Sequence, residues 1–184
     1  MTNMRMRLST IILPVLAFAA GTSVCVALAD PVKEYKVQTA FIYQFTNYVE
    51  WPQDKSAISA QEPFIIAVIG SSPIVQELEA LAKIKTVKGR KIEVNKIENV
   101  SLLGRSNIIV IASTDESLLR QAVQKTTGSG ALIVSYSEGF AQKGAMINFF
   151  QEEGRLRFEI NRTALESQKL QVSSQLLKLA KLIK

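Results

Sequence analysis

The chain contains no histidine at all and a single cysteine, Cys25, among its 184 residues. Most zinc sites and most pairs of a catalytic nucleophile with its base need histidine or cysteine side chains. The sequence therefore excludes these kinds of site. One cysteine also leaves no disulfide within the chain, even in an oxidising compartment.

Carboxylates are few and scattered, with three Asp and thirteen Glu among the 16 acidic residues. Neighbouring acids occur at Glu77 and Glu79, at Asp115 and Glu116, and within a predicted turn, and each pair is interpreted as solvated surface charge. We therefore expect no catalytic residues, no metal site and no cofactor, and predict that the protein is not an enzyme. The net charge of +6 is mild, and basic and acidic residues are mixed throughout the chain, which argues against a nucleic-acid surface.

The first 29 residues have the layout of a secretory signal peptide. Arg5 and Arg7 precede an apolar run, and the small residues from Ala27 to Ala29 come just before Asp30. This layout predicts cleavage between Ala29 and Asp30 and a periplasmic location. An uncleaved membrane anchor over residues 8–29 is the alternative, and either form exports the rest of the chain. A lipoprotein modified at Cys25 is disfavoured, because the preceding residues match the usual motif poorly.

Residues 30–184 are predicted to form one α/β domain with a net charge of +4, since Arg5 and Arg7 are lost with the signal peptide. The pattern predicts a mostly parallel central sheet flanked by helices, with a C-terminal antiparallel edge hairpin. The predicted strands are 63–69, 91–97, 107–112, 131–136 and the hairpin 147–161. The predicted helices are 32–51, 74–82, a third from a cap at Ser113 or Thr114 to about residue 126, 162–168, and a last one capped by Ser173 that includes Ile183.

A turn between a buried strand and a helix, at Gly70, Ser71 and Ser72, is a candidate ligand site. Such a turn can hold an anion at the helix N-terminus, and open α/β sheets bind ligands at the carboxyl ends of their strands. The motif is partial, because no further glycine or Lys-Ser/Thr pair comes after it. An ordinary strand-to-helix turn is the simpler interpretation.

The hairpin strand from Arg155 to Asn161 alternates with a period of two. Leu156, Phe158 and Ile160 are predicted to face the core. The opposite face carries the charged and polar residues, namely Arg155, Arg157, Glu159 and Asn161. That face is either an ordinary solvated surface or a docking face for a protein partner, where arginine is enriched. The single tryptophan, Trp51, is either a core residue or a partly exposed anchor for a partner.

Several segments, taken in order, resemble the YfiR family. They are EYKVQTAFIYQFTNYVEWP, FIIAVIGSSP, TVKGRKIEV, NIIVIAS, and the closing pair GFAQKGAMINFFQEEGRLRFEIN and LQVSSQLLKLAKLI. The resemblance spans about residues 34–183, and the order and spacing of the segments make it specific.

The resemblance implies a dimeric periplasmic regulator with a mixed α/β fold. Well-known family members bind the periplasmic sensor region of an inner-membrane diguanylate cyclase of YfiN type and hold it inactive, which lowers cyclic di-GMP and biofilm formation. An outer-membrane lipoprotein of YfiB type can sequester the regulator. The alternative function is a periplasmic module that senses a small ligand and acts on another membrane partner.

This chain departs from the resemblance in its cysteines. Many relatives have a cysteine near the start of the third strand, where this chain has Ser106 and Asn107. A thiol–disulfide switch is therefore not expected here. If the hairpin face is a docking face, charge reversal at Glu159 is expected to abolish repression with little change in melting temperature.

Overall fold

The computed structural model describes residues 31–52 and 62–183. The expected cleavage site at Ala29 and Asp30 lies outside these ranges. The described residues contain the helices α1 (Pro31–Tyr48), α2 (Ile74–Ala82), α3 (Glu116–Lys125), α4 (Arg162–Ser167) and α5 (Ser174–Leu179). The strands are β1 (Val49–Glu50), β2 (Phe64–Ile69), β3 (Thr86–Val87), β4 (Arg90–Ile97), β5 (Ile108–Ile111), β6 (Leu132–Ser135), β7 (Ile147–Glu152), β8 (Arg155–Asn161), β9 (Gln171–Val172) and β10 (Lys181–Ile183).

Eight strands form one sheet in the order β10-β8-β7-β6-β5-β2-β4-β3. Neighbouring strands from β7 to β4 run parallel, whereas β7 with β8 and β3 with β4 are antiparallel. The strands β1 and β9 form a separate antiparallel pair. The predicted fold class, a mostly parallel sheet with helices and a C-terminal antiparallel hairpin, is confirmed.

Continuous apolar runs form the centre of the sheet. Every residue of β5 and β6 is buried, as expected for strands covered on both faces. Helix α1 covers one face of the hairpin end, where Phe45 packs against Phe149 and Phe158 at ring-centroid distances of 5.8 and 5.3 Å. These aromatic contacts hold the hairpin to the core.

The order in which the chain adds strands reverses at the middle of the sheet. The connection from β2 to β4 moves towards one edge, and the connection from β5 to β6 moves towards the other. Because such crossovers are right-handed, α2 and α3 lie on opposite faces. The carboxyl ends of β2 and β5 therefore meet at the point where the strand order reverses, which is where open α/β sheets place their ligands.

Helix starts agree with the predictions at three of four caps. The side chains of Asn161 and Ser173 accept hydrogen bonds from Ala164 N–H at 2.9 Å and Leu176 N–H at 3.3 Å, and α2 begins after Pro73. The predicted cap of α3 is wrong, because Asp115 rather than Ser113 or Thr114 accepts the bond from Ser117 N–H, at 2.8 Å. Ser113 instead accepts a bond from Asp115 N–H, one step before the helix.

Two predicted helices end earlier than their apolar patterns indicate. Helix α1 stops at Tyr48, because Val49 and Glu50 pair with β9. The last helix ends at Leu179, and Lys181–Ile183 forms β10 on the free edge of β8. Pairing with an open strand edge satisfies backbone groups that a short terminal helix leaves free, so tertiary contact overrides the helical pattern.

None of the helices within residues 31–52 and 62–183 combines the length and the apolar character that crossing a membrane requires.

Candidate functional site

A two-residue turn builds the hairpin. Glu152 pairs with Arg155, which leaves Glu153 and Gly154 as the loop. Both loop residues have positive φ, 51° and 71°, as the type I′ turn that suits twisted strands requires. The turn fixes the register and therefore decides which side chains share a face.

One face of the hairpin, here called the hairpin face, consists of Asn148, Phe150 and Glu152 of β7 with Glu159, Arg157 and Arg155 of β8. Direct pairing across the two strands puts each of these residues beside its partner on one side of the sheet. At the turn end the face is exposed, and Arg157 Nε lies 3.4 Å from Glu152 Oε2. Such an exposed ion pair contributes little stability, so these charges remain available to a partner.

The other end of the hairpin face is buried, unlike the solvated surface that the alternation predicts. Glu159 is 6% exposed and Asn148 is 1% exposed. The Asn148 amide donates a hydrogen bond to Glu159 Oε1 at 3.2 Å, and Asn148 Oδ1 accepts one from Ser135 Oγ at 2.6 Å. Charge reversal at Glu159 is therefore now expected to lower the melting temperature, because a cation there would replace a hydrogen-bonded buried carboxylate.

Asn161 has a structural place in this arrangement. Its amide donates to the Ala141 carbonyl at 2.7 Å, and its oxygen caps α4. With 7% exposure and both polar ends bonded, Asn161 joins the loop before β7 to the helix after β8. The predicted docking residues of β8 therefore differ in exposure. Arg155 and Arg157 are accessible, whereas Glu159 and Asn161 are buried.

A cleft of about 600 Å³ opens beside the buried end of the hairpin face. Its lining residues come from the loop after β6, from the hairpin and from β10, and they are Tyr136, Glu138, Gly139, Gln142, Asn148, Phe149, Phe150, Gln151, Glu159 and Lys181. Lys181 is the register neighbour of Glu159, but its ammonium lies 5.5 Å from the centre of the Phe150 ring. Burial raises the pKa of Tyr136, opposed by a hydrogen bond with the Ser72 side chain. The phenol therefore stays protonated and can donate a hydrogen bond at neutral pH.

Sequence reasoning did not find Ser135, Tyr136, Asn148 or Lys181. Asn148 carries a usable signal, a polar residue inside the apolar run of β7. A single polar residue does not show which strand it meets, and the partner Ser135 lies 13 residues earlier. The apolar pattern predicts a helix over Lys181, so the sequence does not show its position beside Glu159.

Trp51 lies in the core and is 1% exposed. Its indole N–H donates a hydrogen bond to the Asn107 carbonyl at 3.0 Å, and its ring meets Phe64 edge-on at 5.3 Å. The interpretation as a partly exposed anchor requires an accessible ring, whereas the position of this ring agrees with the core interpretation.

The turn at Gly70 lies at the reversal of strand order. Gly70 has a φ of 101°, and a Cβ there would be 2.5 Å from the Ala112 carbonyl oxygen, so the glycine allows β2 and β5 to end side by side. Ser71 and Ser72 line a second cleft of about 360 Å³ together with Lys96 and Gln76. Ser72 Oγ also accepts a bond from Ile74 N–H at 3.3 Å. The ligand site predicted here stays a prediction.

Within the described part of the chain, His, Cys, Asp and Glu residues form no cluster that could hold a metal ion. The hairpin face places a charged strand surface beside a partly buried polar cleft, and such a surface suits recognition of another molecule. The fold and this site define a small α/β domain with a candidate binding surface.

The chain belongs to the YfiR/HmsC-like family, whose model matches residues 35–181. The match covers nearly every described element, from the first turns of α1 to β10. The family supports a regulatory rather than a catalytic role.

Among solved structures, the fold is similar to a conserved domain protein from Vibrio cholerae O1 biovar El Tor strain N16961, with a TM-score of 0.53 and 14% sequence identity. The similarity covers 82% of this chain and 60% of that one. At this identity the similarity shows the fold alone. No curated protein has significant sequence similarity to the chain.

Proposed function

We propose that the protein is a periplasmic regulator that binds the sensor region of an inner-membrane diguanylate cyclase of YfiN type and holds the enzyme inactive. Lower cyclic di-GMP and less biofilm result from that inhibition. The observation that carries the proposal is the family match over residues 35–181.

The exposed end of the hairpin face supports a docking role. Arg157 and Arg155 stand on a rigid two-stranded scaffold whose other side is fixed to α1 by packed aromatic rings. Charged groups on a rigid surface select a partner and its orientation more than they add affinity. The affinity would then come from anchors around the neighbouring cleft.

Inhibition by binding requires different affinities for the two states of the cyclase. A shift from mostly active to mostly inactive needs a ratio of roughly 10⁴, or about 5.5 kcal/mol. Exposed ion pairs alone contribute too little to reach that difference. We therefore expect the contact to extend from the two arginines into the cleft at the buried end of the hairpin face.

Two further partners belong to the proposal. An outer-membrane lipoprotein of YfiB type would relieve inhibition by competing for the regulator, and the regulator would act as a homodimer. No cofactor and no nucleic acid take part.

Deletion of the gene tests the proposal directly. Cellular cyclic di-GMP is expected to rise on deletion and to fall again when the wild-type gene is restored. An unchanged cyclic di-GMP level under every growth condition would contradict the proposal that the protein represses a cyclase.

The docking surface is tested with a matched pair of arginine variants. Arg157→Glu should fail to restore repression, whereas Arg105→Glu should restore it. Both arginine side chains are about half exposed or more, and each forms an ion pair with a glutamate. Arg105 is the control because it lies before β5, outside the hairpin face, where it pairs with Glu62. Both variants should keep the free energy of unfolding within about 0.5 kcal/mol, since surface ion pairs contribute little. Equal repression by the two variants would remove the hairpin face from the docking surface.

A second candidate function is a small-ligand sensor at Ser71 and Ser72. The cleft that these serines line with Lys96 favours an anionic ligand, since the lysine brings a positive charge to a helix N-terminus. Binding would raise the melting temperature as the ligand concentration exceeds its dissociation constant. A screen of anionic and nucleotide-like compounds without any such shift would remove this candidate.

A further inference from the structure

We propose that the cleft beside Glu159 is a binding site for an organic cation, an ammonium or guanidinium group that pairs with the Glu159 carboxylate. The inference starts from a buried carboxylate whose one bonding partner is neutral. Within residues 31–52 and 62–183, the Asn148 amide is the group that bonds this carboxylate, through Oε1. No ion pair to Glu159 forms among those residues.

The Glu159 carboxylate can accept more hydrogen bonds than the described residues donate to it. Two carboxylate oxygens offer about four acceptor positions, and the observed hydrogen bond uses one of them. Taking such a charge out of water is costly unless a cation or several donors replace the water. Glu159 is 6% exposed, and the surface that it retains belongs to the lining of the cleft. The open side of the carboxylate therefore faces the space where a ligand would lie.

The walls of the cleft offer an aromatic ring, a second carboxylate and neutral polar groups, which suit an organic cation. Phe150 offers a ring face, and the lysine ammonium already 5.5 Å from its centre shows that this ring accepts a positive charge. Glu138 adds a second carboxylate, while Gln142 and the Tyr136 phenol provide neutral polar groups. A volume of about 600 Å³ is within the usual range of small-molecule sites.

The charge of Lys181 affects how tightly the site would bind a cation. Its Cα is opposite that of Glu159 on the next strand, yet its ammonium lies over Phe150 rather than against the carboxylate. A ligand cation would therefore pair with Glu159 while Lys181 remains as a neighbouring like charge. Removing the lysine charge should strengthen binding, and removing the glutamate charge should weaken it.

The same cation could be free in solution or could be an arginine side chain of a protein partner, and the probes separate these sources. Agmatine and arginine present a free guanidinium, and citrulline is the uncharged match for arginine. A capped Gly-Arg-Gly peptide and its Gly-citrulline-Gly match present the same groups on a backbone. Binding to the purified protein is measured by titration calorimetry at low salt, because screening weakens such contacts.

Glu159→Gln is the central variant, since glutamine keeps the shape of the side chain and an oxygen for the Asn148 amide. It should lower the affinity for guanidinium probes at least tenfold, roughly the value of a hydrogen bond to a charged group. Its melting temperature without ligand should be equal to or above that of the wild type, because an unpaired buried charge is removed. Lys181→Met should raise the affinity for the same probes.

Three outcomes are distinguishable. Binding of agmatine or arginine, but not citrulline, that is lost in Glu159→Gln supports the site and assigns it to a small molecule. Binding of the arginine peptide alone, with the same dependence on Glu159, supports the site and assigns it to a protein side chain. Absence of binding by every cationic probe, or equal binding by Glu159→Gln, overturns the proposal. None of these results depends on cyclic di-GMP, so the proposed function is tested separately.

Discussion

Asn107, just before β5, makes hydrogen bonds with several neighbouring elements. Its side-chain oxygen accepts hydrogen bonds from Ile65 N–H at 2.9 Å and from the Arg90 guanidinium at 3.4 Å, and its carbonyl accepts one from Trp51. Arg90 is itself buried and also donates to the Pro63 carbonyl at 2.8 Å. Asn107 therefore joins β2, β4 and β5 through hydrogen bonds.

Asn107→Ala should lower the free energy of unfolding by about 1–3 kcal/mol, because it leaves the Ile65 N–H without its acceptor and removes one acceptor of the Arg90 guanidinium. Urea unfolding measures the change. Asn47→Ala is the matched control, since Asn47 is exposed and donates to Gln44 on its own helix. It should change stability by less than about 0.5 kcal/mol. Equal losses for the two variants would contradict the role assigned to Asn107.

Asp115 links stability to pH through the cap of α3. Hydrogen bonds from Ser117, first from its side chain and then from its backbone N–H, hold the pKa of Asp115 below the ordinary value of 3.8. Between the folded and unfolded pKa values the unfolded chain binds more protons, so stability rises with pH across that window. The contribution is complete above the unfolded value and is lost as the pH falls through the lower, folded value.

Asp115→Asn provides the comparison, because asparagine caps a helix and does not titrate. Near neutral pH the wild type should have a higher melting temperature than the variant. The difference between the two melting temperatures should shrink as the pH falls below 3.8. Thermal melts of both proteins from pH 2 to 7 measure it. A difference that stays constant through the acid range would show that the carboxylate charge does not stabilise the cap.

At the level of elements, β10 decides what the hairpin exposes. β10 pairs in parallel with β8, so the strand at this edge of the sheet has three residues instead of seven. The paired positions are Lys181, Leu182 and Ile183 with Glu159, Ile160 and Asn161. A short edge strand is a poor template for pairing with other chains. The same strand brings Lys181 to the cleft, so the edge and the candidate site share one element.

Truncation after Ala180 should therefore lower the melting temperature and promote self-association, since the edge of β8 then presents unpaired backbone groups. Light scattering and size-exclusion chromatography measure association, and thermal melts measure stability. Removal of Lys184 alone is the control and should have little effect. A truncated protein that stays as soluble and as stable as the control would show that β10 does not protect the edge.

At the level of the whole molecule, local patterns predicted the elements and missed the contacts between distant residues. Apolar runs such as residues 64–69 identified the buried strands, because a strand covered on both faces has few other compositions. Alternation along β8 identified which side chains share a face, but not what covers that face. The burial of Glu159 depends on Asn148, Ser135 and the edge strand β10, which the helical pattern of the last residues concealed.

Export and processing are the last prediction, and they concern the chain as a whole. We expect the mature protein to begin at Asp30, because the small residues before it suit signal peptidase, and every described residue then remains in the product. The intact mass of the protein from a periplasmic extract measures the site. Replacing Ala29 with arginine should block processing and leave the full-length chain in the membrane fraction. If the wild type itself is found there at full length, the N-terminal segment is a retained anchor, and the regulator would then act from the membrane surface instead of diffusing through the periplasm.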